Sequence, residues 1–193
     1  MIRTVTWVNA PVERCFRLAT SVDFLLASSK SKNIKAIAGV KSGSLGQGDT
    51  VTWQGGMFGL GRIHTSRIEV LRPFHYVRET MVDGAFQYYE HDRHFAAMDD
   101  GTRVKDEVRF SLRLGPLGRL METIMLRRQM TTLLKWRSEI LKETAESDGW
   151  KRFLEEHPEM QMVESQGQSG VGGSKVEIKS HFLAHQRVTT SPK

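Results

Sequence analysis

The pattern of apolar and polar residues changes three times along the first three quarters of the chain. Ile2–Val8 alternates apolar and polar positions and is rich in β-branched residues, which predicts a first strand. Pro11 suits the first turn of a helix, and apolar residues then recur at helical spacing over residues 12–19. A second short helix is predicted over residues 22–27. The chain is therefore expected to begin with one strand and two short helices.

The middle of the chain is typical of strands joined by turns. Three strands are predicted over residues 49–54, 62–71 and 75–82, and two longer strands flank Asp100-Gly101. Asp-Gly between two β-like segments is one of the strongest short signals for a hairpin. These segments therefore predict a run of antiparallel strands.

One long helix is predicted after Pro116, from Leu117 to about Ser147. Its apolar stripe at helical spacing consists of Leu117, Met121, Ile124, Met130, Leu133, Leu134, Ile140 and Leu141. Such a helix must bury its stripe, and the concave face of the sheet is the available surface. The sequence thus predicts an α+β fold in which a curved antiparallel sheet wraps around a long C-terminal helix.

The hairpin turn sets which residues of the two long strands lie opposite each other. With Asp100 and Gly101 as a two-residue turn, the predicted pairs are Ala97 with Val104, Phe95 with Asp106, Arg93 with Val108, His91 with Phe110 and Tyr89 with Leu112. This set contains the apolar residues of the second strand, so we expect it to face the core. The alternate set joins unlike charges, for example Asp92 with Arg109, which is typical of a solvated face.

Three ionisable residues, His91, Arg93 and Asp106, fall on the face expected to be buried. Buried charges cost several kcal/mol each unless they are paired. Arg93 and Asp106 are predicted to be diagonal neighbours, so one interpretation is a structural ion pair inside the core. The other is that the three groups line a cavity between the sheet and the long helix and orient a largely apolar ligand. The two interpretations are compatible.

The composition excludes several other classes of protein. The chain has 193 residues, 39% of them hydrophobic, and carries a net charge of +6. No run of like charges and no basic stripe with interleaved aromatic residues is present, so nucleic acid is not an expected partner. No apolar run approaches the roughly 18 residues of a membrane span, and no secretory signal is recognisable, which favours a cytoplasmic protein. The single cysteine, Cys15, cannot form an internal disulfide.

No metal or cofactor is expected. His91 and His94 lie on one predicted strand, where residues three apart point to opposite faces. The other histidines show no ligand spacing, and no motif for heme or a nucleotide is present.

The end of the chain differs from the rest in composition. The segment over residues 167–174 is rich in glycine and serine and cannot bury much apolar surface. We therefore expect one folded domain over residues 1–147 and a flexible tail over residues 148–193.

Several segments resemble one known superfamily when they are taken together in order. They lie at residues 10–16, 73–77, 84–86, 89–95, 102–108, 114–118 and 136–137. Their order resembles the helix-grip fold of the START-like (SRPBCC) superfamily, in particular its polyketide cyclase/dehydrase-like bacterial members, over roughly residues 1–145. The sequence departs from the family pattern at Arg93, where an aromatic-x-His-x-His-x-Phe strand has its second histidine, and at Arg78, a position that is often acidic.

The resemblance implies a deep apolar cavity under the long helix that holds a lipid, a polyketide or another hydrophobic molecule. The residues expected to contact such a ligand are Trp53, Tyr76, Arg78, Tyr89, His91, Arg93, Phe95, Asp106, Val108, Phe110, Met130 and Leu134.

Three functions remain open from the sequence. The first is a non-catalytic domain that binds or carries a hydrophobic small molecule. The second is a cyclase or dehydratase in which His91 is the general acid or base and Arg93 polarises a carbonyl or holds an enolate. Asp106 would orient His91 or Arg93. The third is a protein-interaction or chaperone-accessory domain. The ligand and the oligomeric state are not predicted.

Overall fold

The computed structural model describes residues 1–29, 34–55, 63–112 and 118–154, with the backbone alone at 112 and 118–124. Contacts divide the chain into two units, Met1–His157 and Pro158–Lys193, and all described residues belong to the first. The tail from residue 155 onward therefore lies outside the described residues.

The strands are β1 Ile2–Val8, β2 Lys35–Gly39, β3 Thr50–Gln54, β4 Ile63–Arg72, β5 Tyr76–Asp83, β6 Phe86–Met98 and β7 Gly101–Leu112. Within the described residues they form a seven-stranded antiparallel sheet in the order β1-β7-β6-β5-β4-β3-β2. The helices are α1 Val12–Thr20, α2 Val22–Ser28, α3 Gly118–Glu146 and α4 Lys151–Leu154, with a 3₁₀ turn at Asp148–Trp150 before α4. The predicted α+β fold, with a curved antiparallel sheet and one long helix after the strands, is confirmed.

Local sequence signals place the two short helices against the sheet. α1 follows Pro11, and its amphipathic pattern buries Cys15, Phe16 and Leu18. The side chain of Ser21 then accepts a hydrogen bond from the backbone N–H of Phe24 and caps α2. The ring of Phe16 packs edge-on against Phe95 of β6 at 5.3 Å between centroids, so this face of β6 is the face that the helices cover.

α3 buries one face against the core. The buried positions among its described side chains are Leu126, Met130, Leu133, Leu134, Ser138, Leu141 and Ala145. These positions recur at intervals of three and four residues, as one face of a helix requires. The predicted stripe is therefore observed over this part of α3, whereas Leu117, Met121 and Ile124 lie where side chains are not described.

The register of the β6–β7 hairpin differs from the predicted one. The two turn residues are Asp99 and Asp100, and Met98 lies opposite Gly101. Gly101 is already part of β7, where it has φ +145° and where a β-carbon would lie 2.2 Å from the carbonyl oxygen of Val8. Glycine is needed at position 101 because the backbones of β7 and β1 lie very close together there, and not because of the turn. Every pair is displaced by two residues, so each side chain keeps its predicted face.

The folded domain continues past the boundary that the sequence suggested at residue 147. The guanidinium carbon of Arg14 lies 4.4 Å from the ring centroid of Trp150, and Phe153 packs edge-on against Phe24 at 5.5 Å. Trp150, Phe153 and Leu154 are half-buried against the core. This segment is apolar enough to pack, and the domain extends at least to Leu154.

Candidate functional site

A polar cluster lies on the concave face of the sheet, beneath the helices. Arg93 of β6 lies directly opposite Asp106 of β7, and His91 lies two positions along β6 on the same face. His91 Nε2 donates to Asp106 Oδ1 at 2.7 Å, and Arg93 Nε donates to the same oxygen at 2.6 Å. Asp106 is 1% exposed and His91 is 6% exposed. The structure thus brings together all three ionisable residues that the sequence placed on the inner face.

The protonation of the cluster follows from its contacts. Burial opposes ionisation of Asp106, but the charge of Arg93 and the hydrogen bond from His91 outweigh it and hold the pKa of that carboxyl well below its usual range. A carboxylate only accepts hydrogen bonds, so His91 Nε2 carries a proton. The other ring nitrogen, Nδ1, lies 3.9 Å from Oε2 of Glu79, too far for a direct hydrogen bond.

Two further charged residues complete the cluster. Glu79 of β5 lies opposite His91, and Arg137 comes from α3 on the other side of the interior. Burial lowers the pKa of Arg137, whereas the nearby Tyr89 and Glu79 oppose that effect. Neither Glu79 nor Arg137 was among the predicted site residues. The sequence does contain a sign of Arg137, because this residue lies three positions after the buried Leu134 and four before the buried Leu141, on the same face of α3.

A cavity of about 30 Å³ lies at this cluster. It is lined by Ala19, Thr20, Leu25, Leu45, Ile68, Val77, Glu79, His91, Arg93 and Arg137. This volume accommodates about two water molecules. It is far smaller than the roughly 300–1,000 Å³ of a pocket that encloses a drug-sized ligand. The lining is polar on the side of β5, β6 and α3 and mostly apolar on the side of α1, α2 and β4.

Other predicted ligand residues are buried in the core but are not among those that line this cavity. They are Trp53, Tyr89, Phe95, Val108, Met130 and Leu134, together with the half-buried Phe110. The indole N–H of Trp53 donates to Ser66 Oγ at 3.1 Å. Tyr89 lies opposite Phe110, and burial raises the pKa of its hydroxyl.

Tyr76 and Arg78 lie on the opposite, convex face of the sheet. They alternate along β5 with Val77 and Glu79, which face the cavity. The Tyr76 hydroxyl and Arg78 Nε both donate to Oδ1 of Asp92, the latter at 2.8 Å. Both side chains therefore lie in a hydrogen-bonded network on the convex face, away from the polar cluster. In this position Tyr76 and Arg78 do not face the interior, where the sequence predicted that they would contact a ligand.

Comparisons with known proteins agree on the fold. No family model matches the sequence, and no curated protein matches it either. Among solved structures, TTHA0849 from Thermus thermophilus is 21% identical with a TM-score of 0.55, over 72% of this chain and 95% of that one. KanY protein is 14% identical with a TM-score of 0.59, over 75% and 96% of the two chains. A START superfamily protein from Mycobacterium smegmatis is 11% identical with a TM-score of 0.54, over 75% and 96%.

These likenesses, together with the order of the strands and the long helix, define the fold of the domain. The chain has a helix-grip fold, and in this fold it is similar to START-like (SRPBCC) proteins. In the described part of the chain, no helix is long and apolar enough to cross a membrane.

Proposed function

We propose that the protein binds a small molecule with an apolar body in the interior beneath α3, and that the polar cluster fixes the orientation of its polar end. The observation that carries this proposal is the divided lining of the cavity. Leu25, Leu45 and Ile68 provide apolar surface, whereas His91 and Arg93 provide hydrogen-bonding groups. Ligand pockets commonly combine an apolar wall with a few polar groups in this way.

The cavity is too small for a whole ligand, so binding requires a change in the structure. A volume of about 30 Å³ has room for a polar head group but not for an apolar body. The body must therefore enter a more open form in which α1, α2 and α3 move away from the sheet. A ligand that binds only this form shifts the population towards it, and the free energy of opening weakens the observed affinity.

The proposal is tested by binding to a panel of apolar molecules that differ in head group and shape, including fatty acids, sterols and aromatic polyketides. A ligand at about 100 times its Kd should raise the free energy of unfolding by about 2.7 kcal/mol. For a domain of this size that corresponds to a rise in melting temperature of roughly 5–11 °C. Calorimetric titration would measure the Kd, urea denaturation the free energy of unfolding, and thermal shift the melting temperature.

A pair of matched variants links binding to the cavity. Ala19 lines the cavity, so Ala19→Leu should weaken binding, whereas Ala97→Leu on an exposed position of β6 should leave it unchanged. The proposal fails if no member of the panel stabilises the protein, or if the two variants bind equally well.

A second candidate function, acid–base catalysis, is favoured by one contact. Asp106 holds the Nε2–H of His91, so the Nδ1 nitrogen lies on the side of Glu79, where both residues line the cavity. His91 would then exchange a proton with a bound ligand, and Arg93 would stabilise an enolate oxygen, as in a cyclase or dehydratase.

The two functions are separated by His91→Gln. If the protein is an enzyme, this variant should lose turnover of a poly-β-keto substrate but keep its affinity for it. Unchanged turnover would exclude His91 as the acid or base, and absence of turnover in the unsubstituted protein would leave the binding function.

A further inference from the structure

Two hydrogen-bond acceptors face each other at the small cavity without a donor between them. Nδ1 of His91 lies 3.9 Å from Oε2 of Glu79, and both residues line the cavity. The ring proton of His91 is on Nε2 and is donated to Asp106 at 2.7 Å, so the neutral ring presents a lone pair at Nδ1. The carboxylate of Glu79 likewise accepts and does not donate. A group that satisfies both acceptors must therefore donate two hydrogen bonds.

The same cavity also presents donors. Arg93 donates its Nε–H to Asp106 at 2.6 Å, and its side chain makes no further hydrogen bond among the residues that the structure describes. Arg93 lines the cavity, so its terminal N–H groups are available to an acceptor on a ligand. The lining thus combines two acceptors, from His91 and Glu79, with a guanidinium donor.

The charges of the cluster sum to zero. Glu79 and Asp106 carry one negative charge each. Arg93 and Arg137 carry one positive charge each, and with its single proton on Nε2 the ring of His91 is neutral. A charged head group would add a charge that has no counter-ion in a largely buried space, which is strongly disfavoured. The cluster therefore favours an uncharged head group.

Among common uncharged groups, a primary carboxamide fits this arrangement and this space. A hydroxyl has one hydrogen to donate, and an ester or ketone oxygen has none. A primary carboxamide has two hydrogens on its nitrogen and an accepting carbonyl oxygen beside it. A cavity of about 30 Å³ holds about two water molecules, which matches the nitrogen and the oxygen of one amide.

We propose that the polar end of the ligand is a primary carboxamide. Its two N–H groups donate to His91 Nδ1 and Glu79 Oε2, and its carbonyl oxygen accepts from Arg93. This inference rests on the proposed function, because it names the head group of the ligand bound there. Glu79 determines most of the specificity for the amide, since a hydrogen bond to a carboxylate is stronger than one to a neutral acceptor.

The test compares molecules of nearly the same shape that differ at a single group. Hexanamide, pentyl methyl ketone and hexanoate carry an NH₂ group, a methyl group and an anionic oxygen at the same position. Phenylbutanamide, phenylpropyl methyl ketone and phenylbutanoate repeat the comparison with an aromatic body. Affinities are measured by calorimetric titration at about pH 8, where a free imidazole is neutral. We expect the amide to bind at least about 10-fold more tightly than the ketone or the carboxylate of the same series.

Variants of two glutamates on neighbouring strands assign the effect. Glu79→Ala should weaken binding of the amide by about 10- to 150-fold and change binding of the ketone by less than about 3-fold. The same variant should bind the carboxylate more tightly, because it leaves the cluster with one positive charge in excess. Glu79→Gln keeps one oxygen acceptor, so it should retain part of the preference for the amide. Glu69→Ala, at an exposed position of β4, is the control and should change none of these affinities.

The outcomes distinguish the two proposals. If amide and ketone bind equally in the unsubstituted protein, or if neither series binds while the wider panel yields a ligand, the carboxamide inference is wrong and the binding function stands. If Glu79→Ala weakens amide and ketone alike, Glu79 supports the structure and does not select the head group, which also overturns the inference. If neither series binds and the wider panel fails as well, the proposed function itself is wrong.

Discussion

Replacing Asp106 with alanine should be among the most destabilising single changes in the sheet. The carboxylate is 1% exposed and accepts hydrogen bonds from His91 at 2.7 Å and from Arg93 at 2.6 Å. Hydrogen bonds to a charged group contribute about 1.5–3 kcal/mol each. The variant would also leave Arg93, whose side chain is only 12% exposed, without its counter-ion. Removing one member of a buried ion pair costs about 3–5 kcal/mol, which we take as the expected loss.

This loss can be measured by urea denaturation and by the melting temperature. For a domain of this size, 3–5 kcal/mol corresponds to a fall of roughly 6–20 °C. Asp148→Ala is the matched control, because that carboxylate is 87% exposed and its loss should change the free energy of unfolding by less than about 0.5 kcal/mol.

A double variant tests the cause of the loss. Arg93→Met combined with Asp106→Ala removes both charges, so the combined loss should be smaller than the sum of the two single losses by about 0.5–3 kcal/mol. A loss below about 1 kcal/mol for Asp106→Ala, or strict additivity in the double variant, would contradict a buried and mutually dependent pair.

Three further predictions concern acid stability, the hairpin and the helix. The folded-state pKa of Asp106 lies below its ordinary value of 3.8, so its contribution is complete above about pH 4 and is lost as the pH falls further. Urea midpoints between pH 6 and pH 2 should therefore fall less steeply in Asp106→Asn. Gly101→Ala should cost about 1–3 kcal/mol, because the new β-carbon would lie 2.2 Å from Val8 O at φ +145°; an unchanged melting temperature would contradict this. Met130→Ala should cost about 2–5 kcal/mol in urea denaturation, whereas Met125→Ala, at a position 64% exposed, should change stability little.

The hairpin shows how much of the inner face could be predicted from the sequence. Its turn was placed on Asp100-Gly101, whereas the structure turns at Asp99-Asp100. The orientation of His91 survived that error, because a displacement of two residues returns every side chain to the same face. The alternation of apolar residues determines which face of the sheet each side chain lies on. It does not determine which residue of β7 lies opposite each residue of β6, because that register depends on the close contact between Gly101 and β1.

The orientation of β5 could not be obtained in the same way. The strand carries polar residues on both faces, so hydrophobic alternation does not distinguish Tyr76 and Arg78 from Val77 and Glu79. Its orientation is set by the neighbouring strand, where Asp92 accepts hydrogen bonds from Tyr76 and Arg78 on the convex side. Such a contact between strands is visible only once their register is known.

Arg137 was missed for a related reason. A stripe that is defined by apolar residues assigns a charged residue to the exposed side of the helix. Leu134 and Leu141 are both buried, and Arg137 lies three residues after the first and four residues before the second. A charge in such a position is a sign that the interior contains polar groups to meet it.

The hydrogen bond from His91 to Asp106 also restricts which ligand atoms the ring can meet. While the imidazole is neutral, its Nδ1 has a lone pair and no hydrogen, since the single ring proton is committed to the carboxylate. A hydroxyl, an enol or an amide N–H can approach that nitrogen, whereas an ether or carbonyl oxygen is repelled. In this tautomer the ring therefore favours a ligand that carries a hydroxyl group near Nδ1 over the same ligand without one.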